Sequence, residues 1–321
     1  LSVAYKRTGR GGESFGGPMY VLGRRLSMPR LASAFALFAV LASFGIGSSV
    51  QAHSIRTAAD RLVSAPAEVT GILIAALAGL VIIGGNRQIA KVCNWLVPVM
   101  SAVYLGGCLW ILIQNLPLLP DALRLIVRSA LSGRAALGGL AGRAVLTGMR
   151  VGIQKGLFTN EAGLGSVPMA AAAAQTKDPV MQGLVSMTGP FWDTVVMCAV
   201  TGLAIISSML RHPGRYACAA PEQLCFLAFE ELPWGEGLLS VSLALFAFAT
   251  IIGWNVYGTS AVRYLWGERG ILVYQVCYLC FVWLGAVLSM ELVWGCSDLL
   301  NSLMAFPNLL ALWLLRKEIH T

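Results

Sequence analysis

The feature that most constrains this chain is the recurrence of apolar runs long enough to cross a lipid bilayer as helices. A spanning helix needs about 20 predominantly apolar residues, because each residue advances the helix by about 1.5 Å. Polar, proline-rich or glycine-rich stretches separate such runs along the whole sequence. We place the runs at Leu31–Gln51, Val69–Gly84, Val92–Ile113, Ala144–Ala174, Val180–Leu210, Leu238–Tyr264, Ile271–Met290 and Leu292–Leu315. The sequence therefore predicts an all-α transmembrane protein with about eight spans.

The composition agrees with lipid as the solvent. Hydrophobic residues make up 57% of the 321 residues and charged residues only 12%, whereas an average soluble domain is about 25% charged. The net charge of +8 could suggest a nucleic-acid partner, but no binding motif for DNA or RNA accompanies it. We interpret this charge as lysine and arginine flanking the membrane spans.

The distribution of charge along the chain predicts its orientation. Residues 1–30 are strongly basic and should be cytoplasmic, and an even number of spans returns Arg316 and Lys317 to the same side. Residues 211–236 then form an external loop, and residues 116–142, with arginines among leucines and alanines, form an amphipathic interfacial helix. We predict one transmembrane domain over residues 1–321, in the plasma membrane, which for a bacterium is the inner membrane.

Several kinds of site find no support in the sequence. There is no phosphate-binding loop, catalytic triad or metal-ligand cluster, so we expect no cofactor and no enzymatic activity. The pair Cys277 and Cys280 lacks a second pair or a histidine and indicates packed thiols. Cys218 and Cys225 lie in a polar loop, and a disulfide between them stays open.

The most unusual segment is Gly156–Ser166, which places three glycines and several polar residues inside an apolar run. A helix broken in the bilayer exposes backbone groups that protein, water, ion or substrate must satisfy, and transporter binding sites are commonly built this way. The alternative is a loop that joins two short helices. Glu161 either binds a substrate amine or gates access, or it pairs with Lys155 or Arg150.

Polar residues in three other apolar runs are further candidates. Asp193 is a second acid at membrane depth, for which we favour packing or gating. Thr250 and Trp254 are four residues apart and share a helix face, and Gln51 ends the first run. Each of these could instead be ordinary polar contact between helices.

Several segments resemble the alanine or glycine:cation symporter family. They are Gly16–Tyr20, Leu41–Gly47 with Gln51, Gly156–Ser166, Phe246–Trp254 and Met304–Leu309. They occur in the family's order along nearly the whole chain, and the Asn-Glu-Ala-Gly-Leu-Gly stretch within Gly156–Ser166 is the most specific of them. The resemblance implies a leucine-transporter-type fold with five-plus-five inverted repeats, and symport of small neutral amino acids such as alanine or glycine with Na⁺ or H⁺.

The resemblance also implies roles for individual residues. The segment Thr159–Ser166 matches the broken first helix of the second repeat, and Thr250, Gly253 and Trp254 match the helix that carries substrate and sodium sites. We therefore predict contacts to the amino-acid substrate from Gln51, Thr159, Asn160, Gly163, Thr250, Gly253 and Trp254. We predict ion binding or gating by Glu161, Ser166, Thr250 and Asp193. The coupling ion is the only metal expected, and substrate and lipid are the expected partners.

One departure from the family pattern leads to a further expectation. Family members carry a broken helix with Gly-Thr-Gly-Asn and a tryptophan-rich span before the region that Tyr5–Tyr20 resembles, and neither occurs in this sequence. We expect that the first two core helices are missing from this chain. The alternatives to a symporter are a non-transporting remnant and, with Glu161 and Asp193 as acid and base, a membrane enzyme.

Overall fold

The computed structural model describes residues 1–8, 14–131, 160–161, 163–174, 176, 178–220 and 223–319. Helices dominate these ranges. A two-stranded antiparallel ribbon of β1 (Arg7–Thr8) and β2 (Ser14–Phe15) precedes them. The helices, in chain order, are α1 (Pro18–Tyr20), α2 (Pro29–Asp60), α3 (Ala67–Ile83), α4 (Gly85–Gln114), α5 (Leu119–Leu131), α6 (Val167–Ala172), α7 (Pro179–Arg211), α8 (Pro213–Tyr216), α9 (Leu224–Phe229), α10 (Gly235–Trp266), α11 (Arg269–Val287), α12 (Met290–Leu314) and α13 (Arg316–Ile319).

Five of these helices are long and apolar enough to cross a membrane, namely α2, α4, α7, α10 and α11. The expectation of an all-α transmembrane protein is therefore confirmed. The helix α3 is apolar but has 17 residues, and α12 has 25 residues and is not among the five. The predicted run Ala144–Ala174 lies largely outside the described residues, so the count of about eight spans stays a prediction.

Glycine and proline set the boundaries between the long helices. Pro29 occupies the first turn of α2, where its missing N–H costs nothing. Gly85, with φ +69°, separates α3 from α4, and Gly267, with φ +70°, separates α10 from α11. Positive φ is a conformation that glycine adopts without the strain that a Cβ brings, so these two junctions suit glycine.

A short π-helix, Val21–Arg25, follows α1, and two of the long helices contain π-helical segments, in which the backbone turn is wider than in an α-helix. The first, Ser43–Ser49, lies within α2. The second, Phe191–Cys198, lies within α7 directly after Pro190.

The chain packs as two compact units, which we describe separately. Unit 1 comprises Leu1–Met100, Gly163–Ser186 and Ser240–Thr321, and unit 2 comprises Ser101–Ala162 and Met187–Leu239. The core of unit 1 forms where the π-helical segment of α2 packs against α11 and α12 and where α3 packs against α11. Small residues make these approaches possible, because Gly285 lies directly against the backbone of Ser49.

The basic N-terminal segment and the helix α13 are joined in unit 1. The Tyr5 hydroxyl donates to Glu318 Oε2 at 2.8 Å, and Arg25 forms an ion pair with the same carboxylate. Lys6 Nζ donates to the carbonyl oxygen of Ala174 at 3.0 Å. The hydrogen bonds from Arg25 and Tyr5 lower the pKa of Glu318 below its ordinary value.

Unit 2 is organised around a buried carboxylate in the segment that the sequence analysis places as an external loop. The Glu231 side chain is 6% exposed. It accepts a short hydrogen bond from the Ser208 hydroxyl and one from Asn115 Nδ2 at 3.2 Å, and Arg211 Nη1 lies 3.9 Å from it. This network ties residues 211–231 to the ends of α4 and α7.

Two further regions of unit 2 bear on the sequence expectations. Within 116–142, the residues up to 131 include a 3₁₀ turn, Leu116–Leu118, and α5, in which Ala122 is buried while Arg124 and Arg128 are exposed. Residues 132–142 lie outside the described part. Cys218 and Cys225 are both free thiols.

Candidate functional site

The π-helical segment Ser43–Ser49 is almost entirely buried, and side chains satisfy its backbone carbonyls. A wide turn shifts carbonyl groups away from their usual N–H partners, and buried polar groups require replacements. The Ser48 and Ser49 hydroxyls both donate to the Phe44 carbonyl, at 2.6 and 2.8 Å. Gln51 Nε2 donates to the Ile46 carbonyl at 3.2 Å. The predicted substrate residue Gln51 thus has its amide nitrogen bonded to the segment itself.

The helix α10 faces this segment through Trp254. The Trp254 side chain is 3% exposed, and a Cβ built on Gly47 would lie 2.5 Å from the Trp254 Cβ. The Tyr278 hydroxyl of α11 lies 2.9 Å from the carbonyl oxygen of Gly47 and 2.7 Å from that of Ile251, so its proton bridges the two helices. The structure therefore brings the glycine-rich first run and the predicted site helix together.

The other two predicted residues on α10 have different surroundings. The Thr250 hydroxyl donates to the Phe246 carbonyl at 2.9 Å, which leaves its oxygen lone pairs available as acceptors. A Cβ built on Gly253 would meet no atom within 4 Å. On α10, the Thr250 hydroxyl therefore lies about one turn from the open space at Gly253, and Trp254 is next to Gly253 in the chain.

The glycine-rich interruption is held by α12. Gly163 and Gly165 have φ of +78° and +86°, which residues with a Cβ rarely adopt. Asn308 Nδ2 donates to the Gly163 carbonyl at 2.9 Å, and a Cβ on Gly165 would lie 2.7 Å from Pro18. Ser166 is fully buried and immediately precedes the short helix α6.

The remaining residues of the interruption belong to unit 2. Asn160 Oδ1 accepts a hydrogen bond from the Thr194 hydroxyl at 2.8 Å, and Glu161 has a φ of +49°. Asp193, next to Thr194, has a buried Oδ2 atom without a hydrogen-bond partner among the described residues. Thr159 lies outside the described residues. The structure thus places Asn160 beside the second π-helical segment, which also carries Asp193.

Two buried amides were not among the residues predicted from the sequence. Asn301 on α12 is 4% exposed, and neither its Nδ2 nor its Oδ1 has a hydrogen-bond partner within the described part of the chain. Asn255 on α10 is also buried, with its Nδ2 unpaired there. Asn301 follows Ser297, which lies against Gly45 of the π-helical segment, by one helical turn. An asparagine in an apolar run was the available signal.

The charged groups of the described residues suggest no metal centre. No group of three or more His, Cys, Asp or Glu side chains that could hold a metal ion occurs within them. The polar atoms described above are hydroxyl, amide and backbone carbonyl groups, which suit a small polar solute or an alkali cation.

Apolar helices of spanning length, a glycine-broken segment and polar groups buried within long helices define a multi-pass membrane protein of the carrier type. Comparison with known proteins gives the family. The model of the sodium:alanine symporter family matches residues 1–321, and this chain belongs to that family. Its members are symporters and not enzymes, so the chain is a cation-coupled amino-acid transporter.

Characterised and uncharacterised relatives agree with this membership. An uncharacterized transporter of Haemophilus influenzae is 42% identical, over 99% of this chain and 70% of the relative. The sodium/alanine symporter AgcS of Methanococcus maripaludis is 38% identical, over 98% of this chain and 70% of the relative. The probable sodium/glutamine symporter GlnT of Bacillus subtilis is 35% identical, over 95% of this chain and 63% of the relative.

Proposed function

We propose that this protein couples the uptake of a small neutral amino acid, such as alanine or glycine, to the entry of Na⁺ or H⁺. The observation that carries the proposal is the contact between Gly47 of a buried π-helical segment and Trp254 of α10, with the Thr250 hydroxyl one turn away. Polar groups within spanning helices must be satisfied by protein, water, ion or substrate, and the Thr250 hydroxyl with its free lone pairs, beside the open face at Gly253, offers such a group to a solute.

The close packing around Trp254 supports a substrate with a short side chain. Its ring lies 5.3 Å from that of Tyr257 in an edge-on arrangement, and its Cβ covers Gly47. We expect a rigid aromatic wall of this kind to favour a short substrate side chain over a long one. The names of the relatives AgcS and GlnT, sodium/alanine and sodium/glutamine symporters, support an amino acid as the substrate class.

The coupling ion is best served by the oxygen atoms of α10 and the broken segment. Hard cations take oxygen ligands, and the Thr250 hydroxyl, the Ser166 hydroxyl and nearby carbonyl groups are of that kind. We assign substrate contacts to Gln51, Asn160, Gly163, Thr250, Gly253 and Trp254, with Thr159 as a further candidate outside the described residues. Ion binding or gating is assigned to Thr250, Ser166, Glu161 and Asp193.

The architecture we propose is the leucine-transporter-type inverted repeat, with the basic N-terminal segment on the cytoplasmic side of the plasma membrane. Two observations support it. Each compact unit contains one long helix with a π-helical segment, and lysine and arginine are concentrated in residues 1–30. The cation then favours the conformation that binds the amino acid, which couples the two sites through linkage.

Uptake by the purified protein in liposomes tests this proposal. Radiolabelled alanine or glycine should accumulate under an inward Na⁺ gradient or, if H⁺ is the coupling ion, under an inward proton gradient. Trp254→Ala should reduce this uptake about tenfold, which corresponds to about 1.4 kcal/mol. The matched control is Trp266→Ala, because Trp266 is on the same helix but 59% exposed. Unchanged uptake kinetics in Trp254→Ala would refute the assigned role.

A further inference from the structure

Unit 1 contains a cavity of about 1100 Å³ between the helices α2, α3, α4 and α10. It lies apart from the contact between Gly47 and Trp254 and does not include any of the predicted site residues. Its walls are apolar, with side chains such as Leu73, Leu77 and Phe248. A cavity of this size is large enough for one or two hydrocarbon chains.

The wall from α3 has the length of one membrane leaflet. The residues of α3 that line the cavity run from Thr70 to Val81, which corresponds to about 16 Å along the helix axis. Half of the hydrocarbon core of a bilayer is about 15 Å thick. Leu73, Leu77 and Leu80 on this wall are all exposed, so the protein itself leaves them uncovered.

Two basic side chains mark one end of the cavity. Arg87 and Lys91 line it and are one turn apart on α4. Both side chains are exposed, and neither forms an ion pair with a carboxylate among the described residues. Gln88, between them, lines the cavity and uses its Nε2 to bind the Leu80 carbonyl at 3.3 Å.

The next turn of α4 changes from charged to aromatic. Trp95 follows Lys91 by four residues, lines the cavity and is 71% exposed. The order along α4 is therefore two cations and then an indole, while the apolar leucine wall lies on α3. This order matches the layers of a bilayer leaflet, in which basic residues lie at the phosphate level and tryptophan lies just below it.

We propose that this cavity binds an anionic phospholipid. The phosphate group lies between Arg87 and Lys91, and an acyl chain follows the leucine wall of α3 toward Phe248. Two cations that lack a carboxylate partner within the described residues favour a lipid with net negative charge over a zwitterionic one, since the choline group of the latter brings its own positive charge. This inference rests on the cavity and stands independently of the transported substrate.

Lipid titration of the purified chain in a neutral detergent tests the proposal. Phosphatidylglycerol should raise Tm by about 3 °C or more and should remain bound in native mass spectra. Phosphatidylcholine with the same acyl chains should have a smaller effect. The double variant Arg87→Gln/Lys91→Gln should bind phosphatidylglycerol about tenfold more weakly, as expected when two charge-assisted contacts are lost.

The matched control is the double variant Arg316→Gln/Lys317→Gln, which removes an equal charge from an exposed basic pair on α13 and should keep the lipid response. Equal stabilisation by phosphatidylcholine would overturn the preference for an anionic headgroup. An unchanged response in Arg87→Gln/Lys91→Gln would overturn the site, and stabilisation by inorganic phosphate alone would reduce it to an anion site without a lipid. Absence of any lipid effect, as when another segment fills the cavity, would also overturn it.

Discussion

The two π-helical segments have the same backbone irregularity and opposite surroundings. Ser43–Ser49 is enclosed by α10, α11 and α12, and side chains satisfy its carbonyl groups. In Phe191–Cys198 no side chain is fully buried, and Phe191, Trp192 and Val195 are more than half exposed. One widened turn is therefore a fixed part of a packed core, and the other is covered only in part by the protein.

The two segments therefore suit different roles in a carrier, one as a fixed surface and the other as a part that rearranges. A segment whose carbonyls are bonded by side chains of its own helix and by Tyr278 of α11 forms a rigid surface against which a ligand can be positioned. A segment with a buried, unpaired Asp193 oxygen and few contacts has a lower cost of rearrangement. Under the proposed function, the first segment forms part of the binding surface, and the second carries Asp193, one of the residues assigned to ion binding or gating.

Replacing Gly47 in the enclosed segment by a larger residue should have the largest effect on stability. Gly47→Leu drives a side chain into Trp254 and should destabilise the protein by about 3 kcal/mol or more. Thermal unfolding in detergent and the yield of inserted protein measure this loss. The matched variant Gly189→Leu, next to the second segment, places its side chain where no atom lies within 4 Å of the Cβ and should retain stability. An equal loss of stability in both variants would contradict the difference between the two π-helical segments.

Removing one hydroxyl from each unit should give a smaller difference. Tyr278→Phe deprives the carbonyls of Gly47 and Ile251 of a shared donor and should cost about 1–3 kcal/mol. Tyr104→Phe in unit 2 should cost less, because its partner Thr201 already donates to the Met197 carbonyl at 2.7 Å. Denaturation midpoints of the two variants measure the difference, and a reversed order would contradict the comparison.

The exposed segment should respond in transport and not in stability. Asp193→Asn keeps the shape of the side chain and removes its charge, so stability should change by less than about 0.5 kcal/mol. Uptake at low cation concentration should fall about tenfold, and the dependence on the cation should weaken. Asp298→Asn on α12, a substitution of the same kind in unit 1, is the control. Unchanged cation dependence in Asp193→Asn would assign Asp193 to packing alone.

Acid should have the smallest effect on stability, through the contacts of Glu318 with Arg25 and Tyr5. Since the folded state lowers the pKa of Glu318, its stabilising effect is complete above the unfolded pKa of about 4.3. It is lost as the pH falls through the lower, folded value. The difference in Tm between the protein and Glu318→Gln should be constant above about pH 5 and should vanish in stronger acid. A difference that grew on acidification would contradict this sign.

The positions of the long helices could be predicted from the sequence, because each contains a sustained apolar run. The predicted run Leu238–Tyr264 became α10, Gly235–Trp266, and Ile271–Met290 became α11, Arg269–Val287. The first run proved longer than expected, since α2 continues to Asp60. Its final turns are polar, with Arg56 paired to Asp60 at 3.3 Å. An apolar run therefore does not mark the end of this helix.

The site was predictable in its segments and not in its contacts. The sequence pointed to Gln51 as a ligand residue, but which donor satisfies which carbonyl depends on the π-helical turn, and no residue pattern encodes that turn. The partnership of Gly47 with Trp254 joins positions about 200 residues apart, a pairing that only tertiary packing determines. The unpaired amide of Asn301 was missed for the same reason, because its neighbours on other helices define it.

The burial of Trp254 has an optical consequence. Of the nine tryptophans, Trp254 is the one whose side chain is fully buried among those whose exposure the structure describes. Indole emission depends on the polarity and mobility of its surroundings, so this residue contributes a component distinct from that of its exposed counterparts. The protein therefore carries its own fluorophore at the surface of Gly47, where the arrival of a solute or a displacement of the widened turn alters the light that is emitted.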